Sequence, residues 1–149
     1  MKKQAYIIIA VIMLVTVAGL STAKAQTSGR PELRASIPFA FNVGDRTLPA
    51  GEYTVQCVNP DSSQKALRVR SKDGHASALV LTNSVIGKIR DNARLVFYRY
   101  DNQYFFTQAW LPADSIGMQA PKSRTEKQIA RELAATRKSK EVVSIAARR

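Results

Sequence analysis

Between Leu33 and Leu111 apolar and polar residues alternate with a period of two, and β-branched and aromatic residues fill the stretches between turn formers. That period sends successive side chains to opposite faces of a strand, so the segment reads as a series of strands, each with one buried side. In the first, Ala35 to Val43, Phe39, Phe41 and Val43 alternate toward one face. Pro38 has no amide proton to donate and favours a sheet edge for that strand. Leu48-Pro49-Ala50-Gly51 predicts a tight turn with Gly51 at positive φ. Glu52 to Val58 then puts Tyr53, Val55 and Cys57 on an apolar face and Thr54 and Gln56 on the other, ending at Asn59-Pro60-Asp61-Ser62-Ser63.

Two hairpins follow. Ala66 to Asn83 turns at Asp73-Gly74, a dipeptide suited to the two positive φ angles of a type I′ turn. The pairing across that turn sets Val69 opposite Ala78 and Leu67 opposite Val80, with Arg68, Arg70 and Ser77 on the polar face. Arg94 to Leu111 turns near Asp101-Asn102-Gln103 and carries aromatic residues in either register on both faces, which predicts cover on both sides and a central place in the fold. Between them, Ser84 to Asn92 reads equally as a short strand or a crossing loop.

The pattern changes after Leu111. Residues 112–122 read as a loop. Ser123 and Glu126 form a capping-box pair opening a helix over 123–138, with Ile129, Ala130, Leu133 and Ala134 on one narrow apolar stripe and Arg137 and Lys138 in its last turn. Residues 139–149 read as a basic tail or, through Val142, Val143 and Ile145, an edge strand. The fold class predicted is therefore mainly β, an antiparallel β-sandwich or small barrel over residues 35–111, with one C-terminal amphipathic helix.

The N-terminus follows a different pattern. Lys2 and Lys3 precede sixteen uncharged residues, Ala5 to Leu20, and Ala23-Lys24-Ala25 supplies small residues around a cleavage point. Residues 1–25 thus read as a signal peptide, and residues 26–34, polar and breaker-rich, as a flexible leader. The apolar run is short for a bilayer-spanning helix, so no transmembrane span is expected in the mature chain. The protein is expected to be exported, to the periplasm or outside the cell.

Charge sharpens this picture. The chain of 149 residues carries a net +12, which cleavage after Ala25 would reduce to +9. Residues 122–149 supply +6 of that remainder, so positive charge is mainly a property of the C-terminal segment. Lys122, Arg124, Lys127, Arg131, Arg137 and Lys138 are the candidate anion contacts. Their partner would be an anionic envelope polymer or lipid headgroups; nucleic acid is disfavoured because export removes it and the aromatic residues are needed for the core.

Catalytic chemistry finds little support in the residue types. One Cys and one His leave no Cys/His-rich metal site and no disulfide within one chain. Cys57 lies on a core face and His75 beside a turn, a poor start for a nucleophile and base, and no Gly-x-Ser-x-Gly elbow or phosphate-cradling glycine loop occurs. The eight acids of the body, residues 26–121, lie in or beside turns or at strand ends, where solvation is their ordinary role. No catalytic residue, cofactor or metal is expected. The reading is a non-enzymatic interaction module of the envelope or extracellular space, held to a protein partner through a strand edge or to an anionic polymer or lipid headgroups through its basic segment, with an enzyme of unidentified reaction as the remaining alternative.

The stretch Ile37-Pro-Phe-Ala-Phe-Asn-Val-Gly-Asp-Arg-Thr-Leu-Pro-Ala-Gly-Glu-Tyr53 resembles the opening of a family of small exported bacterial proteins of uncharacterised function. Leu95-Val-Phe-Tyr-Arg-Tyr100 with Gln103-Tyr-Phe105, and the segment Pro121 to Lys127, are similar to that family too. The resemblance covers about Ser36 to Arg131 and implies a compact β domain behind a signal peptide, with no catalytic residues to carry over.

Overall fold

Period-two alternation builds strands throughout the body in a computed structural model, which describes residues 31–149. Ten strands and one helix run in the order β1 (Glu32–Ile37), β2 (Phe41–Val43), β3 (Arg46–Leu48), β4 (Gly51–Cys57), β5 (Lys65–Ser71), β6 (Ser77–Ile86), β7 (Ala93–Tyr100), β8 (Gln103–Trp110), β9 (Ile116–Gln119), α1 (Arg124–Ala135) and β10 (Glu141–Ala147). The signal-peptide reading and the first part of the leader fall outside the described residues.

The strands form one sheet in the order β1-β4-β5-β6-β9-β8-β2-β3, with β7 joined to β8 and β10 to β7. It bends round without closing into a barrel. Its two ends, β1 and β10, lie side by side and are hydrogen-bonded at one bridge between Arg34 and Arg148, whose backbones exchange hydrogen bonds of 2.7 and 2.8 Å. All but one of the strand pairs are antiparallel; β2 runs parallel to β8, so the sheet is mixed rather than purely antiparallel.

The inward residues of these strands form one core, including Leu33, Ile37, Phe41, Val55, Leu67, Val69, Leu95 and Phe97. Aromatic rings meet edge-on within it: Phe97 touches Phe39 and Phe41 at 5.4 Å and Phe106 at 5.8 Å between centroids. Tyr53 packs against Phe41 and spends its hydroxyl on the Pro49 carbonyl, 2.7 Å away, tying the β3–β4 connection to the core.

Several boundaries differ from the sequence reading. The leader ends before Glu32, because Leu33 already faces the core. Pro38 splits the first strand into β1 and β2. An additional hairpin joins β2 to β3 through Gly44, at φ 60°, and Asp45. Gly51 has the expected positive φ, at 159°, but uses it to open β4 rather than to close a left-handed turn.

The first long hairpin has the expected register, Leu67 opposite Val80 and Val69 opposite Ala78, although its turn is not type I′. Only Gly74 has positive φ, at 79°, and the Ser71 amide closes a four-residue loop onto the Ala76 carbonyl at 2.8 Å. Two-residue and four-residue loops centred on the same peptide give the same pairing. His75 sits exposed in that loop, its amide bonded to Asp73. β6 runs on to Ile86, so Ser84 to Ile86 is strand and the rest of the stretch to Asn92 is loop.

The expected loop 112–122 contains β9, which pairs with β6 and β8. Gly117 permits this. The Trp110 ring lies so close that a Cβ at Gly117 would stand 2.7 Å from it, and Gly87, just past the end of β6, approaches the same ring. Finally, Glu141 to Ala147 is a full strand on β7, rather than a tail.

Candidate functional site

The helix that carries the candidate cations begins as its sequence dictates. Ser123 is the N-cap, its hydroxyl accepting from the Glu126 amide at 3.1 Å. The reciprocal half of the capping box is not closed to hydrogen-bonding geometry, although the Ser123 amide still lies near enough to favour the Glu126 charge. Glu126 turns inward and accepts a hydrogen bond of 3.2 Å from the Tyr100 hydroxyl of β7. Only 4% of its surface remains exposed.

That carboxyl is pushed above its ordinary range by burial, against the opposing pull of Tyr100, Lys122, Lys140 and the Ser123 amide. The Tyr100 hydroxyl is pushed up in turn, first by burial and then by the Glu126 charge. The inward stripe of α1 is therefore buried Glu126 with half-buried Ile129, Ala130 and Leu133, one residue in four polar, while Ala134 is exposed. This stripe lies over the outer side of β7, where Tyr100 is buried between Glu126 and the Phe105 ring of β8, which accounts for aromatic residues on both faces of that hairpin.

The helix ends at Ala135, before the basic pair assigned to its last turn. Thr136 is the C-cap, and Arg137 adopts φ 57°. The amides of Arg137 and Lys138 bond back to the carbonyls of Ala134 and Leu133 at 3.2 and 3.0 Å. This is a Schellman closure with arginine in the left-handed position where glycine is usual.

The six candidate cations consequently fall into separate groups. Arg124, Lys127 and Arg131 are exposed at spacings of three and four residues, one line of α1 turned away from the inward stripe. Among the described residues no acid forms an ion pair with any of them. Lys122 is exposed just before the helix. Arg137 and Lys138 instead border a depression of about 460 Å³ shared with Arg99 and Glu141. There Arg99 is paired to Glu141 at 3.2 Å, so the local charge is partly balanced.

Other groups were not visible in the linear sequence. Lys140 lies 3.6 Å above the centre of the Tyr98 ring, pinning the approach to β10. Arg90 and Arg94 border a depression of about 520 Å³. Arg94 stacks over Trp110 at 5.2 Å, and its buried Nε has no hydrogen-bond partner among the described residues. Burial, and then the nearby Arg90, hold its guanidinium below the ordinary arginine range.

Cys57 is buried at 6% exposure within the core, and the structure does not bring it to His75. No group of three or more His, Cys, Asp and Glu side chains converges among the described residues, and no helix among them is long and apolar enough to cross a membrane. No protein-family model matches this chain, and neither a curated protein nor a solved structure is significantly similar to it.

Proposed function

We propose that this chain is an exported, non-enzymatic interaction module that holds an anionic envelope polymer or anionic headgroups on the outward line of α1. The observation that carries the reading is the arrangement of Arg124, Lys127 and Arg131. All three are exposed on one face of a helix whose opposite face is committed to the sheet, and no described acid pairs with them. Unpaired cations on a fixed line attract a polyanion by Coulomb forces that fall with added salt. Export is the expectation from residues 1–25, and the small exported family enters only as a resemblance in the segments 37–53, 95–105 and 121–127.

A second reading is favoured by one feature of the sheet. β10 pairs with β7 on one side, and on its other side β1 runs along its C-terminal end, bridged at Arg148, which leaves the part of the edge toward Glu141 open to a partner strand. The two readings differ in their response to salt. The protein is incubated with envelope extract at low and high ionic strength and the bound material identified. Anionic polymer or lipid released by salt supports the first reading; a protein retained in high salt supports the second.

Removal of everything after Pro121 is not a clean test of either. It would strip β10 from β7 and uncover Tyr100 and Phe105. Substitution of surface charges leaves the sheet intact.

A further inference from the structure

We propose that the outward face of β1, β4, β5 and β6 is a docking surface for an anionic phospholipid bilayer. The inference is independent of the helix and begins from cross-strand register. Arg148, Arg34, Thr54, Arg70 and Ser77 are successive partners across the sheet, and Glu32, Gln56, Arg68 and Leu79 form the next row on the same face.

Neighbouring strands are about 4.8 Å apart, so Arg148 and Arg34 stand side by side and Arg70 lies about 10 Å farther along the row. Four guanidinium groups thus project from one face of the sheet, all on exposed residues. Of the acids on this face, Glu32 is taken by Arg34 at 3.0 Å and Glu52 by Lys72 at 2.7 Å. Arg68 and Arg70 have no ion-pair partner among the described residues.

Like charges placed directly opposite one another weaken strand pairing. Here such a pair, Arg34 and Arg148, stands at the one bridge joining the two ends of the sheet. A phosphate shared between the two would convert repulsion into a link, and guanidinium is suited to bidentate phosphate contact.

The apolar residues distinguish a bilayer from a soluble polyanion. Leu79, directly opposite Arg68, is 62% exposed, and Leu81, two residues along the same face, is 50% exposed. A hydrophilic polymer gives those leucines nothing to enter. A lipid surface takes them into the boundary between headgroups and acyl chains while the arginines hold phosphates.

The test is co-sedimentation of the protein, as the expressing cell exports it, with vesicles of phosphatidylcholine alone or containing about one-third phosphatidylglycerol. Binding is expected only with the anionic lipid. Arg68→Gln with Arg70→Gln should weaken it about tenfold or more, given roughly 1 kcal/mol per basic residue near such a surface. Leu79→Ser with Leu81→Ser should weaken it several-fold while leaving retention on heparin unchanged. In a chain already carrying Arg124→Gln, Lys127→Gln and Arg131→Gln, the sheet substitutions should still cause the same further loss of vesicle binding, which separates this surface from the helix. Native-like binding by either sheet variant, or binding to heparin without binding to anionic vesicles, would overturn the proposal. Unchanged circular dichroism and unfolding midpoints check that the variants are folded.

Discussion

The Tyr100 hydroxyl donates to the Glu126 carboxylate across 3.2 Å, joining the middle of the sheet to the first turn of the only helix among the described residues. A carboxylate at this position is an unusual anchor, since burial disfavours its charge and one hydroxyl compensates only in part. Tyr100→Phe removes that donor and should destabilise the fold by about 1–3 kcal/mol, read from urea unfolding. It should also raise the Glu126 pKa further, because the Tyr100 hydrogen bond is among the influences lowering it.

Glu126→Gln should act in the opposite sense at neutral pH. Because the folded-state pKa of Glu126 lies above its unfolded value, the folded protein binds this proton more tightly. The associated stabilisation is complete below the unfolded carboxyl pKa of about 4.3 and is lost as pH rises through the folded value. The amide keeps an acceptor for Tyr100 without the charge. The variant should therefore gain stability over the native protein at neutral pH, and the gain should shrink on acidification toward that lower value. Unfolding midpoints of both proteins across this range check the sign.

Arg137 occupies the left-handed position of the helix closure, where a side chain is strained and glycine is not. Arg137→Gly should stabilise the protein by about 1 kcal/mol. A lower thermal midpoint would mean that the long side chain contributes more at the depression beside Arg99 than the backbone strain costs.

The Trp110 ring lies against two glycines, Gly117 of β9 and Gly87 just past the end of β6, with Gly117 too close to the ring to admit a methyl group. Gly117→Ala should destabilise the fold by about 1–3 kcal/mol by forcing the ring or β9 to move. Tryptophan fluorescence of the folded variant reports the displacement directly.

Cys57 should behave as an inert core residue. A thiol reagent should label it slowly in the native protein and fully once guanidinium has unfolded the chain. A disulfide-linked dimer on a non-reducing gel would contradict this.

The fold was legible wherever a side-chain period could be counted. Register through Leu67, Val69, Ala78 and Val80 followed from a turn centre and a period of two, and it survived an incorrect turn type because loop parity alone decides which faces pair. β9 escaped because Ile116 to Gln119 is short and contains Gly117, whose purpose appears only beside Trp110. The extent of the helix was overestimated because good helix formers continue past the closure at Arg137. Glu126 carried a readable sign that the capping pattern obscured: with Ile129, Ala130 and Leu133 it completes a helical stripe. The arginine rows could not be read at all, since Arg34, Arg70 and Arg148 meet only through the order of the strands.

The most direct test of the interaction site is the salt at which the protein leaves an immobilised polyanion such as heparin, measured for the native chain and for Arg124→Gln, Lys127→Gln, Arg131→Gln. The account predicts that the triple variant, still folded, elutes at clearly lower salt. Equal elution of the two proteins would contradict the assignment of the outward helix line as the anion-binding surface.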